Sequence, residues 1–248
     1  MTGVTNVRKD TLKIQTKMST KFVAHRGVSG LECENTAAAF LAAGNRTYYG
    51  VETDIYRTSD GEYICHHDGS TGRICDTDLP IEASTLNELR SLTLRDTDGA
   101  SDRAEIRLAT PYEYMKICRK YGKVCVAELK SNFTLDEIKE IIAIFENGGH
   151  LDSTVFIAFN IENLKLLKSL KPSQACQFLT GKWNDSLPET LSRLNMSLDI
   201  HHSELTEERI AACHEKGVEV NCWTVDSPER AELLISWGVD YITTNILE

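Results

Sequence analysis

The stretch VCVAELKSNFTLDEIKEIIAIFENGGHLDSTVFIAF, residues 124–159, contains one complete strand–helix–strand unit. Its two ends, 124–129 and 155–159, are short runs of mainly apolar and β-branched residues, typical of strands whose two faces are both buried. Between them, residues 135–147 have helical periodicity, and the pattern stops at Gly148-Gly149. A buried strand, a helix and a second buried strand predict a parallel β/α unit.

The same alternation continues on both sides of this stretch. Further strands are predicted at 22–25, 49–55, 175–179, 196–200, 218–225 and 241–244. Each principal strand except the last is followed by a helical pattern, and about eight such units fit a closed barrel better than an open sheet. We therefore predict a TIM-type (β/α)8 barrel with a small insertion after the second strand. An open doubly wound sheet is the alternative, but no Gly-x-Gly-x-x-Gly loop follows the first strand.

The domain organisation follows from the same pattern. Residues 21–248 are predicted to form a single catalytic barrel domain. Residues 69–109 are polar and irregular and too long for an ordinary connection, so we expect an insertion above one rim of the barrel. Residues 1–20 are expected to be a covering segment or a tail. The chain stops too soon after the last strand for a full eighth helix, so either this segment covers the gap or the barrel is partly open there.

Composition narrows the possible partners and location. The net charge of −10 argues against nonspecific nucleic-acid binding, which depends on a clustered basic surface. The eight cysteines include no C-x-x-C pair, which predicts reduced thiols and a cytoplasmic protein. No stretch has the apolar length of a signal peptide or a membrane span, so we expect no stable membrane insertion. The sequence does not indicate an oligomeric state.

Side chains that can carry chemistry follow the predicted strands at the ends where a parallel barrel builds its active site. His25 ends the first strand. Glu52 and Asp54 end the second with the i, i+2 spacing that places both carboxylates on one face. Glu128 ends the next principal strand, and His67 follows an extra strand predicted at 62–66. We expect these side chains to meet at one mouth.

Three carboxylates at one mouth predict a cation site. Oxygen ligands of this kind suit Mg²⁺ or Ca²⁺, and we expect one divalent cation. With such a cation, Arg26 and Lys130, the charge of the group comes to about +1, which matches a singly charged phosphodiester. Arg26 and Lys130 are thus candidate phosphate-binding residues. The alternative is that the acids form ordinary ion pairs with Arg or Lys at the rim.

The two histidines His25 and His67 can act as a general acid and a general base near neutral pH. Strand alternation places His66 on the opposite face from His67, so we favour His67 and leave the role of His66 open. His201 and His202 follow the sixth principal strand, and they are further candidates for lining the site.

Two other parts of the sequence are candidates for a supporting role. Trp223 ends the seventh principal strand and is either a wall for the organic part of a substrate or part of the packing at the barrel top. Glu34 and Asn35 either brace the first loop and the metal ligands or simply begin a helix, with Asn35 or Thr36 as its N-cap.

Several short motifs of the sequence occur in an order that is typical of one known family. They are His25-Arg26-Gly27, Glu34-Asn35-Thr36, Glu52-Thr53-Asp54, 58–61, His67-Asp68, Glu128-Leu129-Lys130, Trp223-Thr224-Val225 and Gly238-Val239-Asp240 leading to Thr243. In this order, over roughly residues 21–246, they resemble the glycerophosphodiester phosphodiesterase family. The resemblance implies a TIM-type barrel with an insertion after the second strand. It also implies a metal-dependent hydrolase that releases glycerol 3-phosphate and an alcohol from a small-molecule substrate.

Carried over by position, the resemblance implies a role for each of seven residues: Glu52, Asp54 and Glu128 as metal ligands, His25 and His67 as the acid/base pair, Arg26 and Lys130 as phosphate ligands. It leaves open which histidine is the acid. The mechanism commonly proposed for the family uses a glycerol hydroxyl as nucleophile and passes through a cyclic phosphate.

The sequence departs from the family pattern in two places. Thr244-Asn245-Ile246 stands where an Asp and a Pro are usual, and we expect this to affect only a peripheral contact. Residues 69–73 lack the usual Leu-x-Arg-Thr run, so the alcohol portion of the substrate is not predicted.

Two alternative functions use the same barrel. A phospholipase D-like or phosphatidylinositol-specific lipase would need an apolar rim, and the polar insertion disfavours it. A non-catalytic barrel that only binds a phosphorylated ligand is disfavoured by the two histidines.

Overall fold

The computed structural model describes residues 8–14 and 19–248. Its strands are β1 Lys21–Ala24, β2 Gly50–Arg57, β3 Tyr63–Cys65, β4 Val124–Leu129, β5 Thr154–Ala158, β6 Cys176–Thr180, β7 Ser197–His201, β8 Val220–Trp223 and β9 Tyr241–Thr244. All except β3 pair in parallel with their neighbours, and β1 pairs with both β2 and β9, which closes the barrel. β3 is antiparallel to β2. The predicted TIM-type (β/α)8 barrel is confirmed.

Eight helices accompany these strands in the described part of the chain. They are α1 Ala37–Gly44, α2 Leu86–Arg90, α3 Pro111–Tyr121, α4 Leu135–Asn147, α5 Ile161–Leu170, α6 Leu187–Leu194, α7 Glu207–His214 and α8 Pro228–Ser236. Local signals set several ends. Thr110 and Glu113 form a capping box at the start of α3, and Gly122 ends that helix at φ 64°. No helix described is both long and apolar enough to cross a membrane.

The apolar core has two parts that matter for the site. Most of it fills the space between the barrel and the surrounding helices. Tyr114 of α3 lies there, and its hydroxyl donates to the carbonyl of Val51 at 2.6 Å. A smaller layer lies inside the barrel, and it contains Val23, Val126, Ile157 and Leu179. This layer closes the barrel interior beneath the C-terminal ends of the strands.

The end of the chain and part of the N-terminal segment occupy one side of the barrel near the end of α1. Residues 246–248 follow β9 and pair with residues 12–14, with Leu12 N donating to Ile246 O at 3.0 Å. The Glu248 carboxylate accepts from Thr47 N and from Thr11 Oγ1, each at 2.6 Å. This small ladder follows β9 where a regular barrel would have an eighth helix. Residues 1–7 and 15–18 of the predicted covering segment lie outside the described residues.

The polar stretch between β3 and α3 forms the predicted insertion after the second strand. It includes α2 and a small apolar cluster of its own, to which Ile74, Ile81, Leu94 and Leu108 belong. Arg73, in the same stretch, reaches the barrel mouth.

Candidate active site

The loop after β1 brings the first functional residues to the barrel mouth. Arg26 has φ 55° and Gly27 has φ 80°, so the chain turns sharply through left-handed conformations. A Cβ on Gly27 would lie 2.6 Å from Ala39, so only glycine lets this loop pack against α1. The Arg26 N–H then donates to Glu52 Oε2 at 2.8 Å, which fixes the loop to the end of β2.

Glu52, Asp54 and Glu128 form a buried acid cluster. Each offers a carboxylate oxygen within 4.8 Å of the others. Lys130 Nζ lies 3.1 Å from Glu128 Oε1 and 3.5 Å from Asp54 Oδ1, so this predicted phosphate ligand is ion-paired with the acids. Glu52 and Asp54 lie in phase on β2, and Glu128 pairs beside Asp54 in the sheet register, as the strand-end pattern predicts.

The electrostatics of the cluster are unfavourable without a further positive charge. Burial and the neighbouring Asp54 raise the pKa of Glu52 well above its ordinary value. The same two causes raise the pKa of Glu128 to about 8. Burial alone would also raise the pKa of Asp54, but Lys130 and Arg26 outweigh it and lower that pKa. The raised pKa values of Glu52 and Glu128 show that the cluster disfavours three negative charges, and a bound cation would relieve this repulsion.

The donor set fits a divalent metal ion. Three carboxylates converge, and the buried Asp54 Oδ1 makes no hydrogen bond among the described residues beyond its 3.5 Å ion pair with Lys130. Its other oxygen accepts from Asn35 Nδ2 at 2.9 Å, and Asn35 Oδ1 accepts from Thr53 Oγ1 at 2.7 Å. Asn35 thus holds Asp54 in place from behind, with φ 55° that Asn tolerates better than most residues. Hard oxygen ligands of this kind suit a cation such as Mg²⁺ or Ca²⁺.

His25 and His67 approach the cluster from different loops. Both line one cavity of ≈ 370 Å³ together with Arg26, Glu52 and Glu128. His25 Nδ1 lies 2.8 Å from Asn245 Oδ1, and burial followed by the charge of Arg26 lowers the pKa of His25 to about 4.

The side chain of His67 is oriented by its neighbour in the sequence. Its Nδ1 lies 2.6 Å from Asp68 Oδ1. His66, by contrast, is buried with its Nδ1 2.9 Å from the Asp68 carbonyl, and it does not line the cavity.

A network of charges connects the two loops across the rim. Arg73 donates to both oxygens of Glu34 at 2.7 Å and to Asp68 Oδ2 at 2.5 Å. Glu34 also accepts from Arg26 Nη1 at 3.0 Å. Glu34 therefore braces Arg26, and Asn35 braces the acid cluster.

Aromatic side chains form the opposite wall of the cavity. Trp223 at the end of β8 packs edge-on against Phe159, with ring centroids 5.6 Å apart, and both line the cavity. His201 packs edge-on against Trp223, with ring centroids 5.2 Å apart, and stacks with His202 at 4.8 Å. His201 and His202 support the aromatic wall and are not among the residues that line the cavity.

Three residues of the site were missed or misjudged from the sequence. Arg73 lies in an irregular loop whose conformation no pattern predicted. Asn245 was expected to affect only a peripheral contact. That expectation was wrong, because Asn245 follows β9 directly beside β1 and holds His25. Asp199 lies on the inward face of β7 and lines the cavity. Its i−2 spacing from His201 was the signal that could have identified it.

The barrel fold and the side chains at its C-terminal end place the protein in a class of barrel enzymes. These enzymes carry an acid cluster and two histidines at the C-terminal ends of the strands. The family model of the glycerophosphoryl diester phosphodiesterase family matches residues 25–248. The chain belongs to this family, as the resemblance predicted, and is a phosphoric diester hydrolase.

Individual relatives agree with the family model. A glycerophosphodiester phosphodiesterase of Caldanaerobacter subterraneus subsp. tengcongensis is 30% identical over 92% of this chain and 95% of its own length. A phosphodiesterase of Oleispira antarctica, solved in complex with its product sn-glycerol-3-phosphate, is 25% identical with a TM-score of 0.84 over 91% of this chain and 92% of that one. The solved structure of a glycerophosphodiester phosphodiesterase of Parabacteroides distasonis is 28% identical with a TM-score of 0.78, and the match covers 93% of this chain and 94% of that one.

Proposed function

We propose that this protein hydrolyses glycerophosphodiesters to glycerol 3-phosphate and an alcohol, using a divalent cation and two histidines. One observation carries the proposal: the acid cluster of Glu52, Asp54 and Glu128 lies beside the cavity that His25 and His67 line. The product bound by the Oleispira antarctica relative supports glycerol 3-phosphate as the released product.

The acid cluster would hold the cation, Mg²⁺ or Ca²⁺. When bound, such an ion lowers the pKa of a nearby hydroxyl and offsets negative charge on phosphoryl oxygens. Arg26 lines the cavity and is held by Glu34, so its guanidinium is positioned to bind the phosphate. Lys130 is ion-paired with Asp54 and Glu128, and it would contribute positive charge to the phosphate from behind those carboxylates.

The hydrogen bonds of the two histidines suggest different roles. The Asn245 amide donates to Asp226 Oδ2 at 2.6 Å, so its oxygen faces His25 and accepts the proton of Nδ1. His25 Nε2 then carries a lone pair, and the low pKa keeps the ring neutral at pH 7. These properties suit a general base that takes the proton of the attacking hydroxyl.

His67 Nδ1 is held by the carboxylate of Asp68, which fixes the orientation of the ring and leaves Nε2 free to face the substrate. His67 would donate a proton from Nε2 to the departing alcohol. We infer that the attacking hydroxyl belongs to the glycerol of the substrate and that a cyclic phosphate forms. Water then opens the cyclic phosphate with the two histidine roles reversed.

The organic part of the substrate would contact Trp223 and Phe159, which form the apolar wall of the cavity. The eight cysteines are all buried and unpaired, which supports the predicted cytoplasmic location. Cell fractionation would test that location.

The proposal is tested with a panel of glycerophosphodiesters assayed for glycerol 3-phosphate release with magnesium, calcium or manganese. A chelator should abolish turnover, and one of these ions should restore it. His25→Ala and His67→Ala should each lower kcat by about 10²-fold or more. Full activity in either variant would remove that histidine from the mechanism.

His214→Ala is the matched control. It removes another His–Asp pair, with Nε2 2.8 Å from Asp240 Oδ2, that lies away from the cavity. This variant should keep normal turnover.

The same experiments separate the alternative functions. Firm flotation with phospholipid vesicles and cleavage of intact phospholipid would favour the lipase. Binding of a metal ion and glycerol 3-phosphate, with no turnover of any diester, would favour the non-catalytic barrel.

A further inference from the structure

Asp199 is a buried acid that the roles proposed above do not use. It lies on the inward face of β7, two residues before His201 and therefore one layer deeper in the barrel. Its neighbours in the sheet register are Leu179 on one side and Asn221 on the other. Asp199 is 1% exposed, yet it lines the cavity, so it forms part of the cavity floor.

The Asp199 carboxyl group has an oxygen without a partner. Among the described residues nothing donates to its buried Oδ1. Burial raises the pKa of Asp199 above its ordinary value, and its unpaired Oδ1 can accept a hydrogen bond. A buried polar group left unpaired is costly, and an occupant of the cavity that paired with it would remove that cost.

The indole N–H of Trp223 has the same property on the adjoining wall. It is buried, and no described residue accepts its hydrogen bond. The surrounding floor, formed by Ile157 and Leu179, is apolar. Asp199 and Trp223 line the same cavity, so an occupant that contacts both residues meets an unpaired N–H donor and an unpaired carboxyl oxygen.

A hydroxyl group matches this pair better than the other occupants do. It can accept from the indole N–H and donate to the carboxyl oxygen at the same time. An ammonium group has no acceptor for the N–H. A metal ion is not the expected occupant, because in the described parts of the chain only Glu52, Asp54 and Glu128 form a cluster with metal-ligand spacing.

We propose that Asp199, together with the Trp223 N–H, binds the free terminal hydroxyl of the substrate's glycerol and so selects glycerol over diols that lack this hydroxyl. This inference rests on the proposed function, in which the middle hydroxyl of glycerol is the nucleophile and the terminal one is free. In this arrangement the glycerol would reach the cavity floor, and the departing alcohol would lie toward the open mouth. Asp199 is thus a specificity-determining residue.

The test compares two substrates that differ in this hydroxyl alone. One is glycerophosphocholine, and the other is its analogue with propane-1,2-diol in place of glycerol, which keeps the attacking hydroxyl. The native enzyme should prefer the glycerol substrate in kcat/KM by at least about tenfold, because a site built for a hydroxyl rejects the analogue that lacks it. In Asp199→Leu the two substrates should have about equal kcat/KM, because kcat/KM falls for the glycerol substrate and stays unchanged for the analogue.

A second measurement does not depend on turnover. Calorimetry with magnesium present should show that Asp199→Leu weakens binding of glycerol 3-phosphate about tenfold and leaves binding of propane-1,2-diol 1-phosphate unchanged. Asp199→Asn, which can still hydrogen-bond, should keep most of the preference. Ile200→Val is the control, since it changes the same strand on its outer face and should keep the full preference.

The results also show whether Asp199→Leu acts through the fold. Its thermal unfolding temperature should stay close to that of the native protein, because a buried carboxyl with one unpaired oxygen is replaced by an apolar group with the same number of heavy atoms. If this variant does not fold, Asp199→Ala carries the same comparison.

Equal losses on both substrates, or an unchanged preference, would overturn the inference. A loss confined to choline-containing ligands would overturn it in favour of an ammonium site. These outcomes are distinct from failure of the proposed function, in which the native protein would release no glycerol 3-phosphate from any diester.

Discussion

Replacing Arg73 with Ala tests whether the charge network at the rim positions the catalytic groups. The Arg73 guanidinium holds Glu34 with two hydrogen bonds of 2.7 Å and Asp68 with one of 2.5 Å. Glu34 braces Arg26, and Asp68 orients His67. One side chain therefore supports both the proposed phosphate ligand and one member of the proposed acid/base pair.

The structure predicts a small effect on stability and a large one on rate. The Arg73 side chain is 45% exposed, so its ion pairs should contribute only about 1 kcal/mol to the free energy of unfolding. Misplacing a catalytic group by ~1 Å can cost ~10²-fold in rate. We expect Arg73→Ala to lower kcat by about 30- to 100-fold. Arg73→Lys should recover only part of this, because an ammonium cannot reproduce the fork that binds Glu34.

The assay is glycerol 3-phosphate release under saturating metal, with kcat and KM determined separately and urea unfolding measured on the same preparations. Arg90→Ala is the matched control. It removes a similar two-bond contact, to Glu113 at 2.8 Å, in the same insertion but away from the mouth. The reasoning is refuted if Arg73→Ala stays within about threefold of native kcat, or if Arg90→Ala loses as much.

Three further predictions concern stability and metal binding. Burial alone would raise the pKa of Glu248, but contacts with Lys13 and Thr11 lower it to about 2. The ionised Glu248 therefore stabilises the fold above the ordinary carboxyl pKa range, and this stabilisation is lost as the pH falls toward 2. Glu248→Gln should therefore lower the free energy of unfolding by about 2 kcal/mol at pH 7 and by almost nothing near pH 2. Urea unfolding at both pH values measures this, and the same difference between variant and native protein at each pH would contradict it. Glu128→Gln should weaken magnesium binding at least about tenfold in calorimetry, and unchanged affinity would place the ion elsewhere. Tyr114→Phe removes a buried hydrogen bond to a strand carbonyl and should lower thermal stability by about 1 kcal/mol, whereas an unchanged unfolding temperature would show that this bond contributes nothing.

Much of the barrel could be predicted from the sequence because the signals are local. Helix α3 spans Pro111–Tyr121 because Pro111 suits a first helical turn and Gly122 suits a left-handed end, and both signals lie in the local sequence. The grouping of Glu52, Asp54 and Glu128 was also predictable, because strand alternation and the parallel order bring in-phase residues to one rim. The extra strand was predicted at 62–66 and spans only Tyr63–Cys65, since pairing with β2 sets its length.

Other features of the site depend on contacts between residues far apart in the chain. Asn245 meets His25 across 220 positions, and Arg73 meets Glu34 across 39. Alternation places Asp199 on the inward face of β7, but only the packed barrel leaves its carboxyl group at the cavity floor with an unpaired oxygen. Local preferences of the backbone act over a few residues and therefore determine which strands and helices form. Hydrogen bonds and ion pairs between distant loops form only after the barrel has closed, and they determine how the rim is arranged.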